Sequence, residues 1–424
     1  MRRAEFVRGA AAALGTLTLS GTLKAQPFRR LLVRAEQEGE EALWRVIREQ
    51  FVLNPDSTYL NFGGLGAMPL PVIRSYEEWS RAEERSPGAG YDEKNWNEVK
   101  VKTARILGKS CRAEDLAFIS TATEGINMIL NGLPLKKGDE VITSSHEHIS
   151  LKAALLNLRK RSGVVYRTFD PDLKSGPGNV DRIAALVNSR TRLIFLSHLT
   201  CTYGQVFPVK DIAALARAKG LWFALDGAQA AASIPFDLEE TGADFYTASC
   251  HKWMMAPKRT GFLYVRKDML DILQPLTVGA GSAERTDMAA GEIVPKPNAG
   301  RFEYGTQNEA LFFALGTAVD FIEDIGLDRV QAYGRGLAEA FYAGLRDIPG
   351  AESVSPEEAA YRSPMISFRI SGRDYQDVIR RMGEARIRVR PVNENGLNCI
   401  RVSFYINNAV SDVEKILNVL KKSA

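Results

Sequence analysis

The stretch TSSHEHIS (143–150) places His146 and His148, two of only four histidines in the chain, on either side of Glu147. At this spacing, imidazole and carboxylate groups serve a metal site, an acid–base pair or an ordinary loop. SCHKW (249–253) directly follows an apolar run and offers Lys252. By type alone that lysine reads as a surface residue. The apolar run before it and Trp253, Met254 and Met255 after it point to burial instead. A buried lysine has a lowered pKa and forms imines readily. LWFAL (221–225) closes in Asp226, a carboxylate that needs a cation or good donors to offset its desolvation. The small residues of GAQAA after it let a flat ligand come close. DLAFIS (115–120) leads into Thr121, Ala122, Thr123, Glu124 and Gly125. Hydroxyl residues opening a helix make either an anion site suited to phosphate or a plain N-cap.

These residues need strands to hold them. DLAFIS, DEVITSS, RLIFLSH, LWFALD, ADFYTAS and GFLYVR read as buried strands. TEGINMILNGL, HISLKAALLNLRKR and VKDIAALARAKG read as helices between them. Alternation of this kind predicts an α/β domain with a mostly parallel sheet covered on both faces. In such a sheet, ligands sit beyond the carboxyl ends of the strands, where the candidate residues stand. TDMAAGEIVPKPNAG (286–300) reads as a connection. The long apolar-periodic helix after it and the short strands PMISFRI, RIRVRPV and CIRVSFY imply a smaller α+β C-terminal domain.

The chain has 424 residues, 45% of them hydrophobic, enough for a substantial core. Its net charge of +4 argues against nucleic acid as a partner. Residues 1–25 carry a basic start, an apolar run of small residues and a cleavage point after Ala25, the layout of an export signal. That run is short for a membrane span, so no stable membrane insertion is expected. Arg2, Arg3, Arg8 and Lys24 against Glu5 give this segment +3 of the +4, so its removal leaves +1. The pair Arg2-Arg3 resembles a twin-arginine signal, with Ala4 intruding, which makes the periplasm the expected destination and the cytoplasm the alternative. The four cysteines are scattered and form no metal or disulfide pattern.

An imine-forming lysine, a carboxylate suited to a ring cation and a phosphate cradle together match the needs of pyridoxal 5′-phosphate. From about Tyr59 to the C-terminus the chain resembles the class V aminotransferase family of fold-type I pyridoxal-phosphate enzymes. The motifs are YLNFGGLGAMP (59–69), TATEGIN, HEHIS, FALDGAQA, SCHKW, FEYGTQN (302–308) and IRVSFYINNAVSDVEKIL (400–417), in family order. The resemblance implies the corresponding fold: a large domain with a mostly parallel sheet sandwiched by helices, plus a smaller α+β domain. It divides the chain into the export signal at 1–25, an N-terminal segment packing on the small domain at 26–64, the large cofactor domain at 65–300 and the small domain at 301–424.

The resemblance also implies roles. Lys252 carries the cofactor and moves the α-proton, Asp226 keeps the ring nitrogen protonated, and His148 stacks on the ring and relays protons. Gln229 bonds the ring hydroxyl oxygen and Ala228 packs on the ring. Ala122, Thr123, Ser249 and His251 belong to the phosphate site, and Thr306 reaches it across a homodimer interface. Arg401 clamps the substrate carboxylate. His146 receives no role and reads as a loop residue, and a zinc site lacks further ligands. Cys201 stands near the ring oxygen where many members have asparagine, and Cys250 replaces a common glycine. The CHKW start, the loop length and the Ala-Thr phosphate loop are closest to the isopenicillin N epimerase-like branch. Cys399, two residues before Arg401 in an apparent strand, does not suit the mobile nucleophile of a desulfurase. The expected function is action at the α-carbon of an amino acid, as epimerase or aminotransferase. The alternatives are a C–S lyase or desulfurase-like enzyme and a non-catalytic binding protein of this fold. Arg388 and Arg390 face either a second carboxylate or solvent.

Overall fold

The computed structural model describes residues 28–87 and 92–422. The proposed export signal at 1–25 lies outside the described residues. The chain opens with helix α1 (28–38), α2 (Glu40–Arg48) and the short strand β1 (Thr58–Tyr59). Helices α3 (Leu70–Arg85) and α4 (Glu93–Leu107) follow. Then comes the sheet-forming region: β2 (Leu116–Ile119), α5 (Ala122–Gly132), β3 (Glu140–Ser144), α6 (Ile149–Ser162), β4 (Val165–Phe169), α7 (Gly176–Leu186), β5 (Thr191–Ser197), α8 (Val209–Ala218), β6 (Trp222–Asp226), β7 (Phe245–Ser249) and β8 (Gly261–Val265).

The seven strands lie in the order β2-β8-β7-β6-β5-β3-β4. The five from β7 to β4 run parallel, and β8 pairs antiparallel with both β2 and β7. This is the fold-type I architecture, with helices packed on a mixed, mostly parallel sheet. Every residue of β2, β3, β7 and β8 is buried, which is why β2 and β8 read as continuous apolar runs. Strand β4 does not read that way: it is an edge strand, half-exposed along most of its length.

The segment 286–300 is more than a connection. Strands β9 (Ala283–Asp287) and β10 (Glu292–Pro295) form an antiparallel hairpin there, solvated on both faces. A hairpin with no buried face has no hydrophobic alternation to betray it. Helices α9 (Glu309–Ile325) and α10 (Leu327–Gly344) lead to β11 (Ala351–Ser353), β12 (Met365–Ile370), α11 (Tyr375–Glu384), β13 (Ile387–Arg388), β14 (Arg390–Val392), β15 (Cys399–Ser403) and α12 (Val410–Lys421). The small sheet runs β11-β12-β15-β14, all antiparallel, and β1 pairs with β13 beside it. Helix α9 packs on α3 and α4 and shares its core with the large sheet, where Phe312 stacks on Phe118 at 4.8 Å. Among the described residues no helix is long and apolar enough to cross a membrane.

Candidate active site

Parallel strands deliver their carboxyl ends to one edge of the sheet, and four neighbours end there in polar residues: Ser249 on β7, Asp226 on β6, Ser197 on β5 and Ser144 on β3. Ser197 and Asp226 are register partners. Beyond this edge lies a cavity of about 220 Å³. Ala122, Thr123, His148, Cys201, Asp226, Ala228, Gln229, Ser249, His251 and Lys252 all line it.

Lys252 sits on the turn after β7. Two glycines permit the close packing around it. A Cβ on Gly66 would lie 2.1 Å from the Lys252 carbonyl oxygen, and one on Gly227 would lie 1.9 Å from the Tyr246 ring. Burial pushes the Lys252 amine below its ordinary pKa, with Asp226 opposing the shift. Burial likewise raises the Asp226 carboxyl, while Lys252 and the Ala228 N–H, 2.9 Å away, hold it down. Each therefore offsets part of the other's desolvation.

His148 caps α6. Its Nδ1 accepts the Ser150 N–H at 3.2 Å, which leaves the ring proton on Nε2. Burial, with the nearby positive charges of Lys252 and Arg390, lowers its pKa to about 4, so the imidazole is neutral at pH 7. His146 is on the same turn but points elsewhere. It is a turn residue and a buried one, with its ring 4.6 Å from that of Tyr203. No group of metal-ligating residues forms among the described residues.

At the start of α5, Thr121 caps the helix, the Ala122 N–H donates to Ser249 Oγ at 2.8 Å, and Thr123 Oγ1 donates to Ser150 Oγ at 2.9 Å. His251 Nδ1 is buried there without a partner. A helix N-terminus, three hydroxyls and an unpaired imidazole nitrogen form a donor set that suits a phosphate. Gln229 is held firmly: Trp253 Nε1 donates to its oxygen at 2.9 Å, and its nitrogen donates to the Gly63 carbonyl at 2.8 Å. The second amide hydrogen remains available to the cavity. With a lysine and a carboxylate at the other end, the residues present fit pyridoxal phosphate.

Two expected site residues are not part of the lining. Arg401, only 1% exposed, stands behind the Cys201 wall on β15. It donates to the Cys201 carbonyl at 2.6 Å and to Asn61 Oδ1 at 3.0 Å, while its Nε is buried without a partner. Thr306 is exposed and outside the cavity. Arg388 and Arg390 part company: Arg388 is exposed, and Arg390 turns inward onto Glu394.

Several contributors carry no distinctive sequence signal. Ser150 bridges Thr123 and His148. Glu147 is fully buried and accepts from Ser144 Oγ, from Ser197 N at 2.9 Å and from Ser197 Oγ. Asn61 reaches Arg401 from the other end of the chain. Of these, only Ser197 could have been found by the rule that led to Asp226, as a polar residue closing an apolar strand.

Known proteins fall in line with this geometry. The family model described as Aminotransferase class-V matches residues 74–416. A probable cysteine desulfurase of Methanothermobacter thermautotrophicus is 30% identical over 80% of this chain and 84% of its own. The isopenicillin N epimerase of Amycolatopsis lactamdurans is 28% identical over 89% of this chain and 98% of its own. Among solved structures, a C-DES variant with glycine covalently linked to its PLP cofactor superposes with a TM-score of 0.80. It is 24% identical and covers 88% of this chain and 98% of that one, a likeness of fold. The chain belongs to the class V aminotransferase family.

Proposed function

We propose that this enzyme uses pyridoxal 5′-phosphate to act at the α-carbon of an amino acid, as an epimerase or an aminotransferase. The observation that carries the reading is the convergence of Lys252, Asp226 and a neutral His148 on one cavity. When bound, the cofactor supplies an electron sink for the bond broken at the α-carbon. Burial keeps more of the Lys252 amine in its neutral, nucleophilic form, able to hold the cofactor's aldehyde carbon and later to carry the α-proton. Asp226 supplies the negative charge that holds a proton on the ring nitrogen. The start of α5, Ser249 and His251 anchor the phosphate. Arg401, desolvated and with Nε unpaired, receives the substrate carboxylate. His148, neutral with its proton on Nε2, is the second proton carrier that epimerisation requires.

The competing reading is C–S bond cleavage, since relatives named for desulfurase activity match as well. The cysteines weigh against a persulfide route. All four are free and buried, Cys399 lies fully buried in β15, and burial pushes the thiol of Cys201, the one at the cavity, upward. A binding protein of this fold without turnover would hold the cofactor with the same lysine and carboxylate, and exchange of the α-hydrogen separates it from an enzyme.

The test is direct. Purified protein should be yellow, and borohydride should fix the cofactor on the peptide containing Lys252. Amino acids in D2O should exchange their α-hydrogen, and product stereochemistry separates epimerisation from transamination. A protein that stays colourless and unlabelled after incubation with the cofactor sinks the proposal. We further propose that residues 1–25 direct export as a twin-arginine type signal. A mature N-terminus near Gln26 in the periplasm is the expected result, and full-length cytosolic protein the opposing one.

A further inference from the structure

Arg390 and Arg401 stand directly opposite each other on β14 and β15, so their side chains leave the same face of the small sheet. Like charges at such a pair repel. The carboxylate that answers them is Glu394, whose Oε1 accepts from Arg390 Nη2. That ion pair is incompletely used. Arg390 Nη1 and Glu394 Oε2 are both buried without a partner. One side chain thus presents an unmet donor and the other an unmet acceptor, a state that persists only where something else meets them.

Their place in the fold points to what that is. Arg401, the register partner of Arg390, donates to the carbonyl of Cys201 in the cavity wall at 2.6 Å. The turn bearing Glu394 is tied to the segment that presents His148: Asn395 Nδ2 donates to the Ser145 carbonyl, and Lys152 Nζ donates to Asn395 Oδ1 at 3.3 Å. Asn395 and Asn398 hold this turn with φ of +52° and +47°, values that asparagine tolerates better than most residues. The ion pair therefore stands just outside the cavity lining, beside the arginine assigned above to the substrate carboxylate.

Resting on that assignment, we infer that Arg390 and Glu394 form the subsite for the substrate's side chain, and that it takes a neutral carboxamide. With Arg401 committed to the α-carboxylate, the remaining pair is electrically neutral and offers one N–H and one carboxylate oxygen. A carboxamide, whether a primary amide or a peptide-type group, answers both: its carbonyl accepts from Arg390 and its N–H donates to Glu394. A second carboxylate would meet Arg390 but face Glu394 with like charge. An alkyl side chain would leave both atoms unmet, the situation against which polar sites discriminate most strongly.

Calorimetric titration of the holoenzyme with glutamine, glutamate and norvaline, followed in parallel by the cofactor's absorbance, tests this. Glutamine should bind at least tenfold more tightly than either of the others. Glu394→Ala releases Arg390 and should reverse the ratio in favour of glutamate. The isosteric Glu394→Gln should shift it the same way and serves if the alanine variant does not fold. Equal affinity for glutamine and glutamate in the unmodified enzyme, or a ratio unmoved in both variants, overturns the subsite alone. If no amino acid gives heat or a spectral change, the α-carbon reading falls with it.

Discussion

The Ser197 N–H donates to Glu147 Oε2 at 2.9 Å, tying the end of β5 to the turn that presents His148. Glu147 also takes the hydroxyls of Ser144 and Ser197, so one buried carboxylate joins two strand ends at the edge of the cavity. Burial raises it to about 7, and the nearby Asp226 charge pushes the same way. Its folded pKa lies above the ordinary 4.5, so the folded state holds a proton that the unfolded chain releases. The contribution of Glu147 to stability therefore falls as pH rises from about 4.5 to about 7.

Glu147→Gln removes that charge while keeping the shape. The variant should lose stability relative to the parent at pH 5.5, where both side chains are neutral and the amide fits the three donors less well. The gap should narrow or close at pH 8. Urea unfolding at the two pH values measures it, and a gap that widens toward pH 8 contradicts the assignment.

The histidines act in the opposite direction. Burial lowers His146, His148, His198 and His251 each to about 4. The unfolded chain therefore binds their protons first, and stability is lost as pH falls from about 6.5 toward 4. The raised carboxyls Glu83, Glu147, Asp226, Asp244, Glu309 and Asp324 oppose this trend, so the histidine share is read by difference from the variant. The thermal midpoint should fall between pH 7 and pH 5. In His198→Gln, which removes the ring that meets the Tyr246 hydroxyl at 3.1 Å, the fall should be shallower. A midpoint that is flat or rises over this range refutes the prediction.

Much of this site was legible because its residues follow apolar strands. Asp226, Ser249 and Lys252 each come at or just after a buried run, and the rule that ligands lie at strand ends brings them together. What escaped was set by distance or by ordinary composition. Arg401 depends on Asn61, 340 positions away, a pairing with no local signature. Ser150 is a hydroxyl among many, and only packing shows that it meets His148. The edge strand β4 and the solvated hairpin β9–β10 lack a buried face, so periodicity passed over both.

Thr306 supplies a prediction about assembly. It is exposed, and the backbone at Gly279 and Gly281 packs against Tyr304 and Glu303 just before it. The same region exposes Leu276, Val278, Met288 and Ile293, with Met288 95% exposed. Exposed apolar side chains on neighbouring stretches of chain are the kind of surface that a partner covers. The protein should be a homodimer through this surface, with each Thr306 near its partner's phosphate site. Light scattering should give twice the chain mass. Met288→Asp should shift it toward monomer and weaken cofactor retention together. A fully active monomer at low concentration would refute the arrangement.

Asp226→Asn separates the two tasks assigned to that carboxylate. Asparagine keeps the oxygen that accepts the Ala228 N–H, so the turn after β6 should hold its shape. The lost charge is the one that raises the Lys252 pKa against burial. Without it the amine is neutral over a wider pH range, so borohydride labelling of Lys252 in the presence of cofactor should persist and extend to lower pH. Turnover should behave differently. A ring nitrogen without an anionic partner gives up its proton and withdraws electrons less well, and loss of one pre-organised charge costs on the order of 10²–10³ in rate. The expected variant is therefore yellow, labelled at Lys252 and nearly inactive. If it turns over substrate at close to the parent rate, Asp226 does not hold the ring proton. If it no longer captures the cofactor at all, its role is to position Lys252 rather than to tune the ring.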